Sequence, residues 1–190
     1  MPTGKTPGAP AAVRAEVASY KRSGSLTAPV TCELFSDYEC PHCAVFHQET
    51  LPRFTARYVD AGKVRLIQRD FPLPHHRYAR LAARYANAAG SSGYYQAVAD
   101  KLYRTQQVWS GDGDIEGQVA SVVPAPAMER VRTQVRSDPT LDQAIRSDEA
   151  EARERHIDRT PALICNGHMI GPDLSFPQVE MQLDAMMGQR

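Results

Sequence analysis

The chain has 190 residues, and its 22 lysines and arginines are balanced by 22 aspartates and glutamates. This length suits one domain with a real hydrophobic core and room for an insertion. Because the net charge is zero, the composition favours neither nucleic acid nor an anionic membrane as the partner, and partner selection falls to a local site.

The N-terminal segment, residues 1–27, is expected to be an extension that is partly disordered and contains a short helix. Residues 1–10 are rich in proline, glycine and threonine, which favours disorder. Apolar residues at helical spacing predict a short helix over 11–22. The segment lacks the apolar core of a signal peptide, and no run of about 18 apolar residues occurs that would span a bilayer.

A predicted buried strand leads directly into a pair of cysteines. Residues 30–35 form the apolar run, and Cys40-Pro41-His42-Cys43 follows at the expected start of a helix. There, free backbone N–H groups and the helix dipole favour the Cys40 thiolate. Pro41 suits a first helical turn, and protonated His42 adds positive charge beside the sulfur. With Cys43 close enough to close a disulfide, the motif predicts thiol–disulfide exchange, in which Cys40 is the exposed nucleophile and Cys43 the resolving cysteine.

A Cys-X2-Cys pair is also half of a zinc knuckle, so a structural zinc site is the alternative. The second half is missing, since Cys32 and Cys165 stand alone in the sequence. His75 and His76 are adjacent rather than spaced as ligands, and neighbouring residues on a helix do not face one way. We expect these histidines to serve in a turn and cap, and we expect no metal site.

Residues 35–43 read Phe-Ser-Asp-Tyr-Glu-Cys-Pro-His-Cys. This stretch resembles the DsbA-like branch of the thioredoxin superfamily, especially members with a Phe-Ser-Asp-Tyr-x-Cys-Pro-x-Cys signature. The resemblance runs from about residue 28 to the C-terminus, and Thr160-Pro161 is similar to the cis-proline loop that faces the redox pair. It implies an α/β thioredoxin fold, with a central mixed sheet flanked by helices and an inserted helical domain.

Residues 28–74 are expected to form the first half of that fold. The helix that begins at Cys40 contains Pro52, which should kink it because proline removes a backbone donor. Residues 60–63 end the helix, and residues 64–68 are predicted as the next strand. Strand, helix and strand then make a right-handed parallel crossover.

Residues 75–158 are expected to form the inserted helical domain. Apolar residues recur there every three or four positions, and breaks rich in glycine, serine and proline separate the sets. We predict four or five helices between the two halves of the sheet.

Residues 159–190 are expected to form the second half of the fold. Two short strands, 162–165 and 168–170, flank an Asn-Gly turn and predict a hairpin. Ser175 is then predicted to cap a closing helix.

The resemblance implies that Thr160 and Pro161 bind substrate. In the family, a cis bond before this proline exposes backbone groups that hold an extended substrate strand beside the disulfide. Many relatives have a glycine before the Thr-Pro pair, whereas this chain has Arg159. We therefore expect its local substrate preference to differ.

The resemblance also suggests a proton-transfer residue. Members of the superfamily often keep a buried carboxylate near the cysteines, and Glu33, in the otherwise apolar strand, is the candidate to assist Cys43. The alternative is a solvated glutamate at a strand edge. His47, which follows in the next helix, is predicted to be exposed rather than catalytic.

The thioredoxin topology makes the strands that carry Cys32 and Cys165 antiparallel neighbours. Counting outward from the redox site along both strands brings the two cysteines nearly opposite each other, at a separation that suits a disulfide. We expect a second, structural disulfide that spans the helical insertion. The alternative is two small buried thiols in the core.

Together these residues predict a monomeric thiol–disulfide oxidoreductase that acts mainly as an oxidase. We expect its substrates to be unfolded or reduced proteins and its redox group to be the Cys40–Cys43 disulfide, without any other cofactor. The resemblance implies that a membrane partner of DsbB or VKOR type reoxidises it. Disulfide oxidants persist outside the reducing cytosol, so we expect an extracytoplasmic location, periplasmic or in the cell envelope, with a membrane tether if the full-length chain is longer.

Several alternatives remain open at the level of sequence. Within the same class they are a disulfide isomerase or reductase, including a cytosolic DsbA-like isomerase, and a glutathione-linked kappa-type transferase. The transferase is disfavoured because its active site generally lacks the Cys-X-X-Cys pair. From a different class, the chain is a redox-inactive thioredoxin-like binding domain of a larger membrane protein.

Overall fold

Five strands form one mixed sheet, whose central strand is the one that precedes the cysteine pair. The computed structural model describes residues 17–188. The sheet order is β1-β3-β2-β4-β5, in which β2 and β3 are parallel and the other neighbours are antiparallel. The strands are β1 (Arg22–Ser23), β2 (Val30–Ser36), β3 (Val64–Asp70), β4 (Ala162–Cys165) and β5 (His168–Met169).

Helices cover the sheet and fill the space between its two halves. They are α1 (Pro41–Val45), α2 (Leu51–Phe54), α3 (Ala79–Gly90), α4 (Tyr95–Arg104), α5 (Gln106–Asp112), α6 (Ile115–Ala120), α7 (Ala125–Ser137), α8 (Pro139–Glu154) and α9 (Phe176–Gly188). The mixed sheet, its flanking helices and the helical insertion agree with the thioredoxin fold that the resemblance implies. No helix within residues 17–188 combines the length and the apolar character that crossing a bilayer demands.

The helix after the cysteine pair continues from α1 to residue 59. Two π-helical segments, Phe46–Thr50 and Thr55–Val59, lie on either side of α2. Pro52, the residue predicted to kink this helix, lies in the first turn of α2. Proline cannot donate a backbone hydrogen bond. Around Pro52 the helix departs from α geometry through the two wider π turns that flank α2.

The two faces of the sheet carry different cores. Alternation along β2 sends Cys32 and Leu34 to the face covered by the helix of residues 41–59 and by α9. Phe35 points to the opposite face, where it packs with Ala152 of α8. The central strand is therefore buried on both sides, which explains its nearly continuous apolar sequence.

Between residues 79 and 154 the structure has six helices, where the sequence predicted four or five. The helix that was missed is α5, which is too short for a clear apolar period. Side-chain caps mark two of the starts: Asp114 accepts a hydrogen bond from the Gly117 N–H, and Asp138 accepts one from the Thr140 N–H.

Arg22 and Ser23, near the end of the N-terminal segment, join the sheet as β1. The predicted helix over 11–22 falls largely on residues 1–16, which lie outside the described residues, as does the predicted disorder of 1–10. Within the described part, Ser19–Lys21 form a 3-10 turn that leads into β1.

A buried ion cluster fixes this segment to the rest of the protein. Lys21 is only 3% exposed, and its Nζ lies 2.5 Å from Asp70 Oδ2 and 3.1 Å from Asp148 Oδ2. Asp148, on α8, also accepts hydrogen bonds from Arg69 and from the Asp70 N–H. Buried charges are tolerated where each one is paired, so the cluster ties β3, α8 and the N-terminal segment together.

The structure contains a disulfide between Cys32 of β2 and Cys165 of β4. The two residues are register partners, with an S–S distance of 2.03 Å and a Cα–Cα distance of 4.0 Å. Both are fully buried. The bond closes a loop with a sequence separation of 133 residues, which includes the whole helical insertion.

We predict that this disulfide resists mild reduction and that its removal destabilises the protein. Replacing both cysteines, Cys32→Ala with Cys165→Ala, should lower the free energy of unfolding by about 2–4 kcal/mol, because a long loop is no longer closed in the unfolded chain. Urea denaturation measures this loss. Thiol counting after mild reduction is the companion measurement, and the prediction fails if all four cysteines react alike.

Candidate active site

The turn between β2 and α1 holds the reactive pair. Cys40 is the N-cap residue of α1, and Pro41 occupies the first turn, where its missing N–H leaves no partner unsatisfied. The Cys40 N–H donates to the Asp37 carbonyl oxygen at 3.2 Å. This arrangement directs the Cys40 side chain toward the free N–H groups of the helix start.

Hydrogen bonding makes the Cys40 thiol unusually acidic. Its pKa falls to about 5, and the largest cause is the hydrogen bond that it shares with Cys43. Burial opposes this shift, whereas the Thr160 side chain and the backbone N–H groups of Cys43 and His42 lower the pKa further. The sequence analysis attributed this acidity to backbone N–H groups and the helix dipole, with added charge from a protonated His42, and among these causes His42 acts through its backbone N–H.

Cys43 has the opposite character. It is 1% exposed, and burial raises the pKa of its thiol well above the ordinary value. The hydrogen bond with Cys40 raises this pKa further. The Asp37 N–H donates to its Sγ at 3.4 Å. One cysteine is thus held as a thiolate near neutral pH and the other as a thiol, which is the division that a nucleophile and a resolving cysteine need.

Cys40 is less accessible than the sequence suggested. It was predicted to be an exposed nucleophile, but the residue is only 5% exposed. Its Sγ lies 3.4 Å from the Thr160 carbonyl oxygen, beneath the loop that precedes β4. The Thr160–Pro161 peptide bond of this loop is cis. A substrate must therefore reach the sulfur along the face that this loop shapes.

A cavity of about 390 Å³ provides that approach. It lies between the helix after Cys40 and the two loops around β4 and β5. Its lining residues are His42, Val45, Phe46, Glu49, Thr50, Arg159, Thr160, Pro161, Pro172, Asp173, Leu174 and Ser175. The mixture of apolar walls and backbone groups suits an extended polypeptide.

Asp37 is a site residue that the sequence analysis missed. Its side chain is fully buried, and its carboxylate accepts hydrogen bonds from the Glu39 N–H and the Leu73 N–H, both at 2.7 Å. His76 Nδ1 lies 2.7 Å from Asp37 Oδ2. Since the Asp37 backbone contacts both cysteines, this carboxylate fixes the turn that carries them. His76 thus has a definite partner in the site, beyond the turn-and-cap role predicted for it.

Gln106, at the start of α5, was missed as well. It is buried, and its Nε2 donates to the carbonyl oxygens of Tyr38 at 2.6 Å and Cys40 at 3.0 Å. The helical domain thereby holds the main chain on either side of residue 39. Nothing in the local sequence marks this glutamine, because its role arises from the packing of distant segments.

Glu33, the residue predicted to assist proton transfer, is held in ion pairs on the central strand. Alternation along β2 points Glu33 away from the face that Cys32 occupies. It forms ion pairs with Arg69, at 2.6 Å, and with Arg155. Two guanidinium groups therefore hold the Glu33 carboxylate, and its pairs within residues 17–188 are with these arginines rather than with a cysteine.

His47 is also corrected, because it is buried rather than exposed. Its Nε2 lies 2.7 Å from Asp100 Oδ1, and its ring packs against that of Tyr103 in a tilted arrangement with the centroids 4.4 Å apart. Both partners belong to α4, so His47 attaches the redox helix, which is the helix of residues 41–59, to the helical domain. Within residues 17–188, no group of three or more His, Cys, Asp or Glu side chains is arranged to hold a metal ion.

We predict a thiolate titration at Cys40 with a midpoint near pH 5, and a higher midpoint in Cys43→Ala, because that change removes the largest cause of the low pKa. Thiolate absorbance of the reduced protein against pH measures both. A lowered pKa also means that the thiolate stabilises the reduced fold at neutral pH and that this stabilisation is lost as the pH falls through about 5. A Cys40 midpoint near that of a free thiol would contradict the assignment.

We predict that Gln106→Leu lowers the free energy of unfolding by about 1–3 kcal/mol, because the buried carbonyl of Tyr38 loses its donor. The same change should raise the Cys40 pKa, since the turn is no longer held. Gln107→Leu is the matched control, because Gln107 is the exposed neighbour on the same helix. Equal effects of the two changes on stability and on the thiolate titration would exclude a positioning role for Gln106.

Comparison with known proteins agrees with this geometry. A family model described as Thioredoxin matches residues 19–185. The probable disulfide bond formation protein D of Bacillus anthracis is 26% identical over 171 residues, which cover 83% of this chain and 76% of that protein. The crystal structure of oxidised BdbD from Bacillus subtilis gives a TM-score of 0.74 at 22% identity, over 87% of this chain and 91% of that one.

A shorter match links the chain to a membrane protein. The Na(+)/H(+) antiporter NhaA 3 of Salinispora tropica is 36% identical over 84 residues. Those residues cover 44% of this chain but only 12% of the antiporter.

Proposed function

The chain belongs to the thioredoxin family, and from this premise we propose that it is a DsbA-like thiol–disulfide oxidoreductase that donates the Cys40–Cys43 disulfide to exported, unfolded proteins. Relatives named disulfide bond formation protein D and protein-disulfide oxidoreductase support this function. Oxidation, rather than reduction, is the direction in which the enzyme works.

The observation that carries the proposal is the opposite shift of the two cysteine pKa values. The pKa of Cys40 falls to about 5, whereas that of Cys43 rises. A stabilised Cys40 thiolate favours the reduced enzyme, so the disulfide form is a strong oxidant. The same low pKa makes Cys40 the better leaving group when the mixed disulfide is resolved.

The reaction proceeds in two exchange steps. A substrate thiolate attacks Cys40 Sγ, which forms a mixed disulfide and breaks the bond to Cys43, and Cys43 leaves with the electron pair and takes up a proton. A second substrate thiolate then attacks the substrate sulfur of the mixed disulfide and expels Cys40 as a thiolate. The substrate gains one disulfide and loses two electrons, which remain on the reduced cysteine pair.

Turnover requires an oxidant that removes these two electrons. We assign this role to a membrane partner, quinone-linked and of DsbB or VKOR type, which places the protein outside the cytosol in the periplasm or cell envelope. The enzyme works as a monomer. The cysteine pair is its only redox group, and it uses no metal.

A second candidate function is a thioredoxin-like domain of a larger membrane protein that binds without redox chemistry. The match to an antiporter is the observation that favours it. The acidic Cys40 argues against a redox-inactive module, because a thiolate of this kind reacts readily with disulfides.

We predict that the oxidised protein converts a reduced, unfolded protein to its disulfide form in a stoichiometric reaction. Cys40→Ser should abolish the transfer, and Cys43→Ser should accumulate a mixed disulfide with a small disulfide such as oxidised glutathione. The equilibrium constant of Cys40–Cys43 with glutathione measures the direction. A value near that of cytosolic thioredoxin would support a reductase instead, and complete inertness would support the binding domain.

A further inference from the structure

The cavity beside Cys40 has charged residues at two separate ends. Arg159 precedes Thr160, whose carbonyl oxygen lies at Cys40. Glu49 and Asp173 precede Thr50 and Leu174, which are hydrogen-bonded to each other farther along the helix. All three charged residues are exposed. Apolar and backbone groups make up most of the remaining wall. This distribution bears on the choice of substrate, provided that the proposed function holds.

The positive end is next to the reacting sulfur. Cys40 Sγ lies 3.4 Å from the Thr160 carbonyl oxygen, and Arg159 is the residue directly before Thr160. Within residues 17–188, the Arg159 guanidinium has neither a hydrogen bond nor an ion pair with another residue. It is therefore available to a group that enters the cavity. Arginine recognises carboxylates well, because its planar donors match their geometry.

The negative end is fixed by a separate contact. Thr50 Oγ1 donates to the Leu174 carbonyl oxygen at 3.0 Å, which brings together the neighbours of these two residues, Glu49 and Asp173. Asp173 Oδ1 accepts a hydrogen bond from the Ser175 N–H at 2.8 Å. Within residues 17–188, neither carboxylate forms an ion pair, and the nearby Arg53 guanidinium lies over the Phe176 ring instead.

The distance between the two ends can be read along the redox helix. Glu49 lies nine residues after Cys40, which corresponds to a rise of at most about 13 Å at about 1.5 Å per residue, because the π-helical turn of Phe46–Thr50 is wider and rises less. An extended peptide advances about 3.3 Å per residue, so about four residues bridge the same distance.

We propose that the cavity selects substrate segments in which an acidic residue adjoins the reacting cysteine and a basic residue lies about four positions away. Arg159 binds the acidic side chain, and Glu49 with Asp173 binds the basic one. This inference rests on the proposed function, and it assigns to that function a substrate class that main-chain pairing along the cis-proline loop does not provide. Arg159 and Glu49 are the residues that determine specificity.

The expected size of the substrate preference follows from the exposure of the three charged side chains to solvent. Ion pairs in contact with solvent contribute modestly and are screened by salt, so each correct pair should raise the rate about three- to fivefold at low ionic strength. With both pairs present, the preference should be about nine- to twenty-fivefold if the two contributions are independent.

The test uses short peptides with two cysteines, of which one is flanked by the charges and the other stands at a constant remote position. One set carries an aspartate next to the first cysteine and a lysine four positions away, a second set exchanges the two charges, and both sets are made in both chain directions. The measured quantity is the second-order rate constant for reduction of the oxidised protein, at low salt and at about 1 M salt, where screening is nearly complete.

The expected result is a faster reaction with the first set in one chain direction and a loss of that advantage at high salt. Arg159→Glu should reverse the preference at the position next to the cysteine, and Glu49→Lys should reverse it at the distant position. Arg130→Glu is the matched control for charge, because Arg130 is exposed on α7 outside this cavity. The ratio between peptide sets is unaffected if a variant merely alters the reactivity of Cys40.

Two outcomes overturn the inference in different ways. If all peptides reduce the wild-type protein at equal rates, or if Arg159→Glu slows every set alike, the cavity does not select by charge while the oxidase function stands. If no peptide reduces the protein at all, the proposed function itself fails, and the substrate class fails with it.

Discussion

The site depends on the asymmetric hydrogen bond between the two cysteines at the start of α1. Cys43 is buried and retains its proton, and that proton stabilises the thiolate of Cys40. Desolvation alone would raise both pKa values, so the donors around Cys40 must outweigh it at one sulfur and not at the other. Every other feature of the site serves to keep these two sulfurs in this relation.

Three distant parts of the chain converge on that pair. Asp37 fixes the turn, Gln106 of the helical domain holds the turn's carbonyl groups, and Thr160 closes over the sulfur from the second half of the sheet. The Cys32–Cys165 disulfide also supports the site, because it links β2, the strand that leads to Cys40, to β4, the strand that follows Pro161. Locking the register of these two strands sets how Cys40 and the proline loop face each other.

Sequence reasoning succeeded where the signal was local or followed from strand pairing. The strand, the cysteine pair and the alignment of Cys32 with Cys165 all follow from short-range patterns combined with one topology. The proton-transfer role of Glu33 stays a prediction, because residues one apart on a strand point to opposite faces and its neighbours Cys32 and Leu34 are the ones that pack against the redox helix. Gln106 and the Asp37–His76 pair carry no comparable signal, since their partners lie 66 and 39 residues away in the chain.

The low exposure of Cys40 changes what controls its reactivity. With a pKa of about 5, Cys40 leaves the mixed disulfide as a stable thiolate near neutral pH, so this step does not need a proton at Cys40. The rate then depends on which polypeptides enter the space between the redox helix and the proline loop. Main-chain pairing along that loop is indifferent to side chains, which permits a broad range of substrates. Discrimination must therefore come from the side chains around the cavity, and Arg159 lies at the position closest in sequence to the loop residue that touches the sulfur.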